Sequence, residues 1–199
     1  PLKQLFKVFK EEKIRKLSLA FFIYFIAFTG LTNILIFFLQ ESLNWTTKAS
    51  SGTLVVVGVI AIIVQGGLIG PLVKKLGEMK LTLIGSGFIL LACFLLITTP
   101  QENATVNIYC AVSFLAIGAG LITPTLRALI SKRLDSDNQG SILSNLQGLQ
   151  SLGGVLGIGM AGRVYDDFGP KAPFIAGSII LLFMIYLIAE GKNNKISYN

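Results

Sequence analysis

The sequence predicts an all-α membrane protein, a six-transmembrane-helix bundle, and three observations carry that prediction. Only 14% of the 199 residues are charged while 53% are hydrophobic, against about a quarter charged in an average soluble domain. Six stretches contain no Asp, Glu, Lys or Arg, and each is about as long as a bilayer core is thick. The Lys and Arg residues gather in alternate connections between those stretches. The mean hydropathy of +0.72 points the same way. A disordered tail, a disulfide-rich secreted module and an ordinary cytosolic enzyme all fit poorly.

The chain opens with a basic lead-in over residues 1–16, where Leu2, Phe6 and Phe9 fall at i, i+4 and i+7 among Lys3, Lys7, Lys10 and Lys13. That spacing predicts an amphipathic helix lying on the inner membrane face; the alternative is a solvated basic linker. The first span, 17–40, is too long for the apolar region of a signal peptide and follows no short basic leader. A chain that starts at Pro1 is expected to be a piece of a longer one or a processed product. The other expected spans are 49–73, 81–101, 103–126, 138–162 and 172–189, closing a bundle over 17–190 with a tail at 191–199. About 20 apolar residues cross a core of about 30 Å, and the last span, at about 18, crosses without much tilt. Each must be helical, because lipid offers the backbone no hydrogen-bond partner.

Fourteen of the seventeen Lys and Arg residues fall on the side of the lead-in and tail, and only Lys48, Arg163 and Lys171 on the other. By the positive-inside rule both termini are cytoplasmic. The net charge of +7 then reflects topology and attraction to anionic headgroups, and no nucleic-acid partner is needed. The absence of His removes the commonest general base and metal ligand, so no cofactor, metal or enzymatic role is expected. Cys93 and Cys110 lie in separate apolar runs and read as small hydrophobes. Two Asn-x-Thr triplets, at Asn44 and Asn103, lie so close to the membrane that they read as chance matches.

Polar residues inside spans are the best site indicators in such a chain. The third and sixth spans are nearly dry and read as lipid-facing. The first carries Thr29, Asn33 and Gln40 in one stripe, the second carries Gln65 before Gly66, Gly67 and Gly70, and the fifth is the most polar, with Ser144, Asn145, Gln147, Gln150 and Ser151. For each amide the bland reading is an interhelical hydrogen bond of about 0.6 kcal/mol. The clustering in the fifth span favours a water-filled or substrate-lined path. Gly66/Gly70, Gly153/Gly157 and Ala116/Gly120 have the spacing that lets helices pack closely. Gly118, Gly120 and Pro124 predict a kink near the inner end of the fourth span. No span carries a charge near its middle.

This pattern resembles the C-terminal half of a major facilitator superfamily transporter, a family of twelve helices in two six-helix halves. Two motifs carry the likeness. The connection Gly70-Pro71-Leu72-Val73-Lys74-Lys75-Leu76-Gly77-Glu78-Met79-Lys80 resembles the family's loop signature GxxxDRxGRR. Gly70, Lys75 and Gly77 match; Lys74 replaces the Asp and Glu78 a basic residue, which departs from the family's usual charge relay. The stretch from Pro124-Thr125-Leu126 through Gln139-Gly140-Ser141, Asn145-Leu146-Gln147 and Ser151-Leu152-Gly153-Gly154 to Tyr165 is similar to drug–proton antiporters of the tetracycline and multidrug efflux type. From Gly153 to Gly162 it resembles a degenerate antiporter glycine motif, with Ile158 in place of the Pro.

The resemblance implies a half-transporter of the bacterial cell membrane type, partnered by lipids and an N-terminal six-helix half. It would move a small amphipathic molecule by alternating access, as proton-coupled efflux. Thr29, Asn33, Gln65, Gln147, Gln150 and Ser151 are the candidate cavity residues, with Phe25, Phe28 and Phe114 as apolar surface. Gly70, Lys74, Lys75, Gly77, Lys80 and Arg127 are candidates for a cytoplasmic gate near Asp135 and Asp137; solvated positive-inside residues are the alternative for each charge. A free-standing six-helix channel, or a half-size carrier acting as a dimer, is the competing reading.

Overall fold

The computed structural model describes residues 6–9, 11–100, 104–134 and 139–193. Among them are six long helices. α1 is α-helical over Arg15–Phe37 and runs on through a π-helical turn at Phe38–Ser42. α2 spans Thr47–Leu76, with a π-helical turn at Val64–Leu68 inside it. α3 is Glu78–Ile97, α4 Ala104–Ser131, α5 Gln139–Phe168 and α6 Ala172–Asn193. α1, α2 and α6 each contain one of the six charge-free runs, α4 and α5 begin one residue inside theirs, and α3 stops at Ile97, short of the expected 101.

The connections are short, which makes consecutive helices antiparallel. The Thr46 side chain accepts a hydrogen bond from the Ala49 N–H at 3.3 Å and caps α2, giving the second residue after Asn44 a structural task. Gly77, at φ 78°, alone separates α2 from α3. Only glycine adopts that backbone without strain, and its N–H closes α2 by bonding the Val73 carbonyl at 2.9 Å.

α1 is the hub, packed against α5, α6 and part of α4, while α4 pairs extensively with α3 and holds α2 on its other flank. Its buried side chains Leu17, Phe21, Tyr24, Leu31, Ile34 and Phe38 form the centre of the apolar core. Glycines govern the crossings. A Cβ on Gly157 would stand 2.2 Å from the Ile26 carbonyl oxygen, and one on Gly30 would stand 2.8 Å from that of Gly157. Gly85 and Gly118 face each other the same way between α3 and α4, and Gly120 admits Val64 of α2. Inside a bilayer, lipid tails are as apolar as leucine, so such close packing supplies much of the association energy. Hydroxyls add to it: Thr82 and Thr125 join α3 to α4 at 2.8 Å.

The two helices expected to face lipid do expose apolar side chains, Ile84, Leu91 and Phe94 on α3 and Ile175, Ile179, Leu182 and Phe183 on α6. α4 continues through Pro124 without a break in its helix. Cys93 is buried and Cys110 exposed, both free.

Two expectations are corrected. The described part of the lead-in, Phe6–Phe9, is a 3-10 turn and not an α-helix. Val8, outside the expected stripe, is 1% exposed in the bundle core, and Phe9 meets Phe22 edge-on at 6.5 Å; the turn is thus tucked against the helices. The six long helices agree with the six expected spans, and among the described residues five of them are individually long and apolar enough to cross a membrane. α5 has the length, about 45 Å for 30 residues, but its amides and hydroxyls dilute its hydropathy. Finally, Cβ atoms on Gly66, Gly67 and Gly70 would touch nothing within 4 Å, so this glycine pair does not pack within the bundle.

The glycine crossings are testable. Gly157→Ala forces a methyl into the α1 backbone and is expected to destabilise the protein by at least about 1–3 kcal/mol. Gly87→Ala, whose Cβ meets nothing within 4 Å, should be neutral or gain up to about 1 kcal/mol. Thermal unfolding of the complete protein in detergent reads both; equal effects would remove the α1–α5 crossing as a determinant of stability.

Candidate functional site

The most concentrated polar contact within the helices is built on Arg127. It stands one turn after Pro124 near the end of α4, where the side chain can reach across to α5. Its Nη2 donates to the Gln147 side-chain oxygen at 3.0 Å and also to that of Gln150. Gln147 and Gln150 are three residues apart on α5, which places them side by side on one helical face. The guanidinium carbon lies 5.9 Å from the centroid of the buried Phe21 ring, within cation–π range. The Nε–H is buried and has no acceptor among the described residues. Structure therefore unites a residue expected at the gate with two expected in the cavity. Its position twenty residues away in sequence, on another helix, left no local signal of this pairing.

The other candidate cavity residues spread along neighbouring faces. The Ser151 hydroxyl donates to the Gln147 carbonyl at 3.1 Å and continues the exposed stripe of α5. On α1, Asn33 donates to the Thr29 carbonyl at 2.9 Å. Thr29 itself borders α5, since a Cβ on Gly154 would lie 3.6 Å from its methyl. Gln65 stands apart, exposed in the π-helical turn of α2. The aromatic candidates are mostly engaged elsewhere. Phe25 is only 4% exposed, Phe28 stacks on Tyr24 at 5.5 Å and Phe114 on Phe88 at 5.7 Å. Phe25 is thereby corrected from cavity surface to core.

At the basic end, Gly70, Lys74, Lys75 and Lys80 are exposed, and among the described residues the three lysines take part in no ion pair. Gly77 is the α2–α3 joint described above. Asp135 and Asp137, expected as their acidic neighbours, lie outside the described residues. The acid in use here is Glu78, paired with Lys132 across α3 and α4. Lys16 pairs with Glu190 at 2.5 Å, and Arg133 donates to the Lys13 carbonyl at 3.3 Å. Burial holds the Arg133 guanidinium below its ordinary value. At the opposite end, the Tyr165 hydroxyl donates to Glu41 at 2.8 Å and Lys171 to the Thr99 carbonyl at 3.3 Å. None of these ties has a motif; each depends on helix ends that only the fold brings together. Among the described residues no cluster of His, Cys, Asp or Glu is arranged to hold a metal ion.

Known proteins share this pattern. The profile of the Major Facilitator Superfamily matches residues 1–158. Hippocampus abundant transcript-like protein 1 of Homo sapiens is 22% identical over 95% of this chain and 41% of its own length. Multidrug resistance protein 2 of Bacillus subtilis (strain 168) is 22% identical over 89% of this chain and 44% of its own. Tetracycline resistance protein, class H, of Pasteurella multocida is 30% identical over 61% of this chain and 30% of its own. The chain thus spans less than half the length of these relatives. With a profile match over most of its residues and a bundle of six long helices, the chain belongs to the Major Facilitator Superfamily.

Proposed function

We propose that the chain is the C-terminal six-helix bundle of a secondary active transporter, carrying a small amphipathic molecule out across a cell membrane by alternating access. One observation supports this most. Asn33, Gln65, Gln147 and Ser151 belong to charge-free runs of membrane-spanning length, yet all four are exposed on the bundle surface. Polar side chains at membrane depth face a protein interior or a water-filled path rather than lipid. Their surroundings are therefore completed by something outside this chain, and an N-terminal six-helix half meets that need. The resistance proteins among the relatives support efflux, and proton coupling follows that branch.

In this reading the two halves rock about a site near the midplane. Thr29, Asn33, Gln65, Gln147, Gln150 and Ser151 supply uncharged hydrogen-bonding groups to the cavity wall, and Arg127 joins them. Gly77 sets the turn that presents Lys74, Lys75 and Lys80, beside Gly70, at the cytoplasmic end, where their contacts form and break as the cavity changes sides. Both termini then lie in the cytoplasm.

Reconstitution of the complete protein tests this. Gln147→Ala, inserted normally in the membrane, should weaken substrate affinity by about two- to tenfold, the worth of one neutral hydrogen bond; unaltered transport would take Gln147 out of the site. For the gate, Lys74→Ala should shift the labelling of cysteines introduced in the cavity toward one side of the membrane. Unchanged labelling from both sides would sink the gate assignment.

A further inference from the structure

The guanidinium of Arg127 is a permanent charge with only neutral acceptors. Its two hydrogen bonds go to amide oxygens, its face covers a phenyl ring, and no carboxylate pairs with it among the described residues. A cation drawn into a membrane helix bundle normally finds an acid. Here both bonds leave from Nη2, while the adjacent Nε–H is buried without an acceptor among the described residues. The unsatisfied edge of the fork therefore asks for a second oxygen beside the first, which is the geometry of a carboxylate.

We infer that Arg127, steadied by Gln147 and Gln150, is where this half takes hold of a carboxylate carried by the transported molecule; the inference rests on the transporter reading above. The amides explain why the occupant comes and goes. An acid permanently in place would make them superfluous, whereas a site that is intermittently empty needs neutral oxygens to solvate the cation in the meantime. Charge-assisted hydrogen bonds are roughly twice as strong as neutral ones, so an arriving carboxylate displaces an amide oxygen and leaving it restores the cradle. Phe21 lies against the face of the guanidinium, so the exchange takes place at its edge, where Nη2 holds the two amide oxygens. Gln147, exposed on the outer stripe of α5, marks the open side.

Matched probes that differ only in charge test the assignment. Binding of dansylglycine and of dansylglycinamide to the complete purified protein is followed by dansyl fluorescence. The carboxylate should bind roughly tenfold or more tightly than the amide. Arg127→Gln should bring that ratio toward one, and Arg127→Lys should retain part of it, having the charge but not the fork. If Arg127→Gln does not fold, the comparison of Arg127→Lys with the wild type reads the same ratio. Equal affinities in the wild type, as expected if Arg127 is already paired with an acid elsewhere in the protein, overturn the inference. A preference that survives intact in both variants overturns it as well. Transport is measured separately in proteoliposomes. A protein that prefers the carboxylate but moves neither dye counts against the transporter reading and leaves the binding assignment standing.

Discussion

Close approach of helix backbones at glycine is the constraint on which the rest of this structure depends. Where Gly30 meets Gly157 and Gly85 meets Gly118, there is no room for even a methyl group. In water a bundle can rely on expelling solvent from apolar faces. In a bilayer that term vanishes between helices, and many short contacts along the backbone must replace it. The α1–α5 crossing has a second effect. By fixing the buried face of α5 against α1, it turns the opposite stripe, with Gln147 and Ser151, outward, and it brings Gln150 within reach of Arg127.

Most of the architecture was legible in the sequence because a bilayer leaves few alternatives. A charge-free run of the right length must be helical, and the alternation of basic connections orders the helices. Thus the six runs, the dry third and sixth helices and the Gly153/Gly157 crossing could all be read directly. The helix ends were less accurate, since polar turns outside the hydrocarbon extend helices such as α4 and α5 past any hydropathy boundary. The lead-in differs from the expectation at Phe6–Phe9: a stripe of Leu2, Phe6 and Phe9 suits a helix, while the burial of Val8 depends on a surface supplied by other helices.

The site was legible in composition but not in geometry. A surplus of amides in α5 marks the helix that supplies the acceptors of Arg127, and the sequence offers Arg127 only as a gate candidate at the inner end. Its contact with α5 depends on side-chain reach across two helices, which periodicity does not encode. For the aromatic candidates, an apolar ring beside a polar stripe suits a core as well as a cavity: Phe25 lies in the core, while Phe28 and Phe114 are half-buried and stack on Tyr24 and Phe88. Glu78 looked like a departure from a loop motif, yet its pairing with Lys132 makes it a clamp between α3 and α4.

The π-helical turn at Val64–Leu68 bears on how sequence spacing is interpreted. Such a turn closes its bonds from i to i+5, which inserts one residue into the winding. Each residue of an α-helix rotates by about 100°, so everything after the insertion is swung around the axis by about that amount. Gly66 lies inside the turn and Gly70 beyond it, so a spacing of four no longer stacks them one above the other. α2 consequently presents two differently directed ridges, Thr47–Ile63 on one bearing and Ile69–Leu76 on another, joined by a swivel at Gln65. A single surface cannot lie flush along both. Whatever covers this helix must itself bend or change direction at the level of Gln65.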